Sequence, residues 1–346
     1  MTKDEFDDLI WSPAYDFLRT DPHLGENIMF LTLGGSHAYG TNVEGSDVDV
    51  RGCAMNSIQD ILGFSNFEQR VDTVTDTTIF GFNKLVSLLL SCNPNTIELL
   101  GNKPDQYFYI TPAGKMLIEN KKLFLSQTAV HAFGGYANQQ LRRLQNALAH
   151  DHYPQDEKER HILGTCKSVF ENFRLQHADI PGDSVRLYID KGVTEGMDTE
   201  IFIDCDLKHY PLRSFKEMNS DLGTVIGQYT KLGKRNSKKD NLHLNKHAMH
   251  LVRLYLMCFD ILEKGEINTF RENDRDFLLE IRAGKFQKSD GTYHQEFFDL
   301  IDEYEKRLEY DKKNTMLPAK PDYKRVEELV MEVNYYACTA RYSPAA

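Results

Sequence analysis

At 346 residues the chain is long enough for about two domains with sizeable cores, without disulfides or a structural metal. Its 52 acidic and 41 basic residues give a formal net charge of −11, which argues against a broad electrostatic grip on nucleic acid but leaves a local one open. With no apolar run near the ~20 residues of a membrane span, and an acidic opening, MTKDEFDDLIWSP, unlike a signal peptide, a cytoplasmic protein is expected.

In chain order, Ile28 to Leu33 (IMFLTL) reads as a buried strand ended by a tight turn at Gly34-Gly35. Val48 to Met55 begins with period-two alternation, so that Val48 and Val50 face one side while Asp47, Asp49 and Arg51 face the other. A third β-rich run covers Val71 to Phe80. The period then changes: Phe82, Leu85, Val86 and Leu89 recur at helical spacing until Asn93-Pro94. From about residue 113 helices dominate, over Gln127 to His150, Glu157 to Gln176, Lys246 to Glu263, Asn273 to Arg282, Gln295 to Tyr310 and Tyr323 to Tyr336. Asp179 to Tyr229, punctuated by Gly and Pro, yields no clear elements. The expected architecture is α/β (α+β), with a small sheet domain over 1–115 and a larger, mostly helical substrate-binding domain over 116–346.

The six cysteines are scattered singly and read as buried free thiols. His243, His247 and His250 share helical spacing, but no glutamate makes an HExxH motif and no cysteine is near, which weighs against zinc. Lys231, Lys234, Arg235, Lys238, Lys239 and Lys246 form a basic run that reads first as a solvated loop and second as a phosphate-binding edge. On the helix from His131 to Gln145, Phe133, Tyr136, Gln140 and Arg143 are spaced for one face; core packing is the plainer reading, with Tyr136 and Gln140 the candidates for substrate contact. No GxSxG, GxxxxGK[ST] or GxGxxG motif is present.

The chemistry concentrates in LTLGGSHAYGTNVEGSDVDVRG, residues 31 to 52. Carboxylates at i and i+2 on a strand project from one face, about 6–7 Å apart at Cα, a spacing suited to divalent cations with hard oxygen ligands. Asp47 and Asp49 are that pair. Gly35 lets backbone amides approach a phosphate and Ser36 adds a hydroxyl. A phosphate grip beside a metal grip suggests a nucleoside triphosphate site, with in-line attack on the α-phosphate.

Gly35-Ser36, a loop and Asp47-Val48-Asp49 resemble the signature of the polymerase β-like nucleotidyltransferase superfamily. The fuller string GSHAYGTNVEGSDVDVRG, with Asp76 to Pro94, KHAMHLVRLYL, Gly265 and LLEIRAGK, resembles its RNA-repair-ligase-associated (RlaP-like) branch. The resemblance implies a third acidic residue on a later strand, which Asp76 matches and for which Asp72 is the rival. It implies Mg2+ (or Mn2+) held by Asp47, Asp49 and Asp76, and nucleotide contacts from Gly35, Ser36 and Lys84. Lys246, His250 and Arg253, on one helical stripe, match its pattern for nucleotide or acceptor contacts; Glu98 matches a position of unassigned role. The implied reaction moves a nucleoside monophosphate from an NTP, ATP among them, to a hydroxyl, releasing pyrophosphate. An RNA end is the expected acceptor, a tRNA included. A protein or small-molecule acceptor, and a non-catalytic nucleotide- or RNA-binding protein, are the alternatives.

Overall fold

The run Ile28–Leu33 forms β1 and is buried along its whole length, as a strand covered on both faces must be. The computed structural model describes residues 1–152, 184–193, 199–235 and 241–339, with a few positions between 163 and 180. Ahead of β1, α1 (Lys3–Trp11) opens on a capping box between Thr2 and Glu5 and buries Phe6, whose ring stacks on Phe108 at 4.2 Å.

After β1 come α2 (Gly35–Tyr39), β2 (Val50–Ala54), β3 (Gln69–Asp72), β4 (Thr77–Gly81), α3 (Phe82–Leu90) and β5 (Tyr107–Ile110). The five strands form one sheet in the order β3-β4-β2-β1-β5. β2 is antiparallel to β1 but parallel to β4, with Arg51 paired to Thr78. That register decides the site. Asp49 and Asp76, each immediately before its strand, come level at the same end of the sheet, one strand spacing apart. The β-rich run read as one strand is in fact the β3–β4 hairpin, with its turn between Asp72 and Thr77. On α3, Phe82, Leu85, Val86 and Leu89 are buried, as their spacing predicts.

Helices follow: α4 (Thr128–His152), then α5 (Leu212–Arg235), α6 (Asn241–Phe259), α7 (Arg275–Arg282), α8 (Gln295–Asn314) and α9 (Tyr323–Thr339). α6 runs into a π-helical turn, Asp260–Lys264. The expected helix from Glu157 to Gln176 lies mostly outside the described residues. The stretch without clear elements in the sequence holds an antiparallel hairpin, β6 (Val185–Lys191) with β7 (Thr199–Cys205), and α5. A mixed sheet with a mostly helical remainder is the α/β class expected.

The chain divides into two compact units. One joins Met1–Leu141 with Asn245–Ser289 and Tyr293–Ala346; the other joins Arg142–Leu244 with Asp290–Thr292. Most of α6, and all of α7, α8 and α9, therefore share a unit with the sheet. The second unit has a core of its own, built on Phe170, Phe173, Val185, Met218 and Leu222. Among the described residues no helix is long and apolar enough to cross a membrane.

Candidate active site

β1 ends at Leu33, and the glycine pair does more than turn the chain: Gly35 opens α2, a five-residue helix. Its φ of 55° lies in the left-handed region that favours glycine. A Cβ on Gly35 would overlap Asp49 Oδ2, and one on Gly34 would come within 2.7 Å of Arg51 Cγ. The glycines leave room for the acidic side chain and the arginine stem that follow in sequence.

β2 begins at Val50, so Asp47 and Asp49 lie on its extended lead-in rather than in the strand proper. The Gly34 N–H donates to the Asp49 carbonyl at 2.8 Å and ties this lead-in to β1. The expected alternation survives. Val48 packs on the core that contains the fully buried Val50; Asp49 is half-buried, and Asp47 is exposed.

The strand register brings Asp49 and Asp76 together. Burial, reinforced by a hydrogen bond with Asp76, pushes the Asp49 carboxyl up to about 6. Asp76 is held below its usual range because it accepts that hydrogen bond and faces Arg51. Arg51 Nη2 donates to Asp49 Oδ1 at 3.3 Å and to Asp76 Oδ1 at 3.1 Å, while its Nη1 donates to the backbone carbonyls of Val50 and Asp76. Asp76 itself has a φ of 45°, uncommon for a residue with a side chain. Burial, with the nearby charges of Asp72, Asp49 and Asp76, raises the hydroxyl of the buried Tyr15.

The structure separates Asp76 from Asp72. The Asp72 carboxylate accepts from the Val74 and Thr75 amides and the Thr75 hydroxyl, and the Thr75 amide above all holds it below its usual range. Asp72 caps its own turn; Asp76 meets Asp49. Asp47 is the exception to the expected trio. Among the described residues no three His, Cys, Asp or Glu side chains gather closely enough to hold a metal ion. Asp47 lies exposed on the lead-in, and among the described residues no hydrogen bond or ion pair draws it inward.

The remaining candidates divide. Lys246, exposed at the start of α6, lies close enough for its charge to bear on both Asp49 and Asp76. Lys84 pairs with Glu68 at 2.9 Å. Arg253 is a correction: expected on a ligand-facing stripe, it is buried, 1% exposed. Its guanidinium lies 3.7 Å from the centre of the Tyr39 ring and pairs with Glu98 at 3.3 Å. His250 Nδ1 lies 3.0 Å from Arg253 Nη2. Glu98 also accepts the Tyr39 hydroxyl at 2.6 Å, so its place is in a buried network joining α6 to the end of α2. Gln140 meets His247 Nδ1 at 3.3 Å, and Phe133 is buried. Arg143 is exposed. The centre of the basic run, residues 236–240, lies outside the described residues.

Sequence reasoning missed what holds the glycine helix from behind. The Arg271 N–H donates to Tyr39 O at 3.1 Å, Arg275 Nε to Gly40 O at 2.7 Å and Arg282 Nη1 to Thr41 O at 2.6 Å. These carbonyls end a helix and have no partner within it. Arg51 was legible in the alternation, but nothing local announced its partner Asp76.

A divalent cation suits this donor set. Two adjacent carboxylates, one of them desolvated, are balanced only partly by a single guanidinium, and hard oxygen ligands are what Mg2+ takes. Residues 14–174 match a family model described as RlaP, RNA repair pathway DNA polymerase beta family. The match takes in Gly35, Ser36, Asp47, Asp49, Asp76 and Lys84 and stops before Lys246, His250 and Arg253. No match was found among curated proteins or among solved structures.

Proposed function

We propose that the protein is a Mg2+- or Mn2+-dependent nucleotidyltransferase that moves a nucleoside monophosphate from an NTP to an acceptor hydroxyl at an RNA end. One observation carries this reading. Asp49 and Asp76 stand level at the end of parallel strands, beside a glycine pair, within the stretch similar to the RlaP family. Asp49 and Asp76 are the residues that would hold the cation, and Asp47 would join them only by turning inward from its exposed position. Bound there, a divalent cation would neutralise triphosphate charge and polarise the α-phosphate.

The chain's own groups supply the rest. The Gly35 backbone and the Ser36 hydroxyl orient the phosphates, and the exposed Lys246 offsets their charge near the carboxylates. The acceptor oxygen bonds to the α-phosphorus as the bond to the bridging oxygen breaks. Pyrophosphate carries away that electron pair, and the hydroxyl proton goes to a carboxylate of the set or to water. Such catalysis is largely positioning and charge neutralisation.

Two observations favour other readings. The net charge of −11 suits a protein or small-molecule acceptor better than RNA. Arg51 across the carboxylates suits a non-catalytic binding protein. Incubation with an α-labelled triphosphate, Mg2+ and either total RNA or RNA-free lysate discriminates among them. Label in RNA, lost in Asp49→Asn, is the expected result. Label in protein moves the acceptor, and label in neither fraction, with no pyrophosphate released from any of the four triphosphates, favours the non-catalytic reading.

A further inference from the structure

We propose that Arg51 is a positioning residue that closes the carboxylate site when no cation is bound, its guanidinium standing where a divalent cation must enter. The inference rests on the cation-dependent reading above and adds a device to it. Arg51 reaches both carboxylates from one nitrogen, Nη2, at 3.3 and 3.1 Å. Its other terminal nitrogen holds the Asp76 carbonyl, so the same fork grips the backbone of a residue at φ 45°. The absence of a Cβ at Gly34 makes room for the stem. Arg51 is about one-fifth exposed, which leaves a path for the head to swing outward.

The physical logic is competition. Arg51 occupies Oδ1 of both Asp49 and Asp76, so a cation that bridges those two oxygens must displace it from at least one of them. Displacement also frees the Asp76 carbonyl and lets its turn readjust. Lysine could not do the same, since one ammonium cannot span two carboxylates and a carbonyl in a fixed fork. The device keeps the half-buried Asp49 and the exposed Asp76 compensated while no cation is bound, and sets a threshold for cation entry.

The test is Mn2+ binding by the full chain, read by paramagnetic resonance of free Mn2+, with no turnover involved. Arg51→Met keeps the stem against Gly34 and removes the charge; Arg51→Lys keeps the charge and loses the fork. The expected order of affinity is Arg51→Met, then Arg51→Lys, then wild type, with a span on the order of tenfold. If Arg51→Met fails to fold, Arg51→Lys against wild type decides alone. Equal or weaker Mn2+ binding in the variants overturns the proposal, because it makes Arg51 a purely structural support. Absence of Mn2+ binding in every form, wild type included, overturns the cation-dependent reading itself and this inference with it. Binding that persists in Asp49→Asn places the ion elsewhere and has the same consequence.

Discussion

Asp49 carries a proton more firmly in the folded chain than out of it, since burial and Asp76 raise it from 3.8 to about 6. A raised carboxyl favours folding while protonated; that contribution is complete below the unfolded value and is lost as pH rises through about 6. Asp76 has the opposite sign, its contribution present at higher pH and lost as pH falls. On the proposed reading, a cation at Asp49 competes with that proton. Mn2+ affinity should therefore weaken by about tenfold for each pH unit below 6 and level off above it; an affinity flat from pH 5 to 7 would mean that Asp49 is not a ligand. Gly35 offers a second test at this scale. With φ at 55° and Asp49 Oδ2 filling the space of a Cβ, Gly35→Ala should cost about 1–3 kcal/mol in urea unfolding and abolish Mn2+ binding. An unchanged midpoint would contradict the packing described.

Among the elements, α6 is fixed to the sheet unit by a buried charge pair. Arg253 and Glu98 pair at 3.3 Å, Tyr39 donates to the same Glu98 oxygen, and burial drives the Tyr39 hydroxyl well above its usual range. Removing one partner leaves the other charge buried, so Arg253→Ala should destabilise the protein by about 3–5 kcal/mol. Chemical denaturation checks this, and a loss below 1 kcal/mol would show that the pair is not buried in solution. Elements with strong patterning were legible from residues alone: α3 through Phe82, Leu85, Val86 and Leu89, and β1 through an apolar run broken only by Thr32. α2 was not, because GSHAY is too short to show a period. Nor was the β3–β4 turn, where Asp72 bonds locally to the Thr75 amide while Asp76 meets the distant Asp49 and Arg51. Arg253 was placed on the right stripe of its helix and given the wrong neighbours. Helical periodicity fixes a face, and only the tertiary fold decides what covers it.

At the scale of the molecule, the sheet and the late helices are one unit. Phe270 packs where a Cβ on Gly40 would fall, at 2.6 Å, and Arg271, Arg275 and Arg282 satisfy the carbonyls of Tyr39, Gly40 and Thr41. A chain ended after Leu244 would leave those groups orphaned and the apolar face of the sheet unit uncovered. Its near-UV circular dichroism should collapse, whereas a cooperative thermal transition in that fragment would show that the first 244 residues fold alone. The glycine pair, Asp49 and Arg51 of the candidate site all fall within residues 31 to 52 and were readable there as a motif, whereas Asp76 was not. The site's support arrives from residues more than two hundred positions away and left no local mark.

The most direct measurement of the central claim is a crystal soaked with a non-hydrolysable triphosphate and Mn2+. An anomalous peak bonded to the carboxylates of Asp49 and Asp76, with the Arg51 guanidinium moved off and phosphate oxygens toward Gly35 and Ser36, is the predicted result. Triphosphate bound elsewhere, with Arg51 still across the two acids and no peak between them, would contradict it.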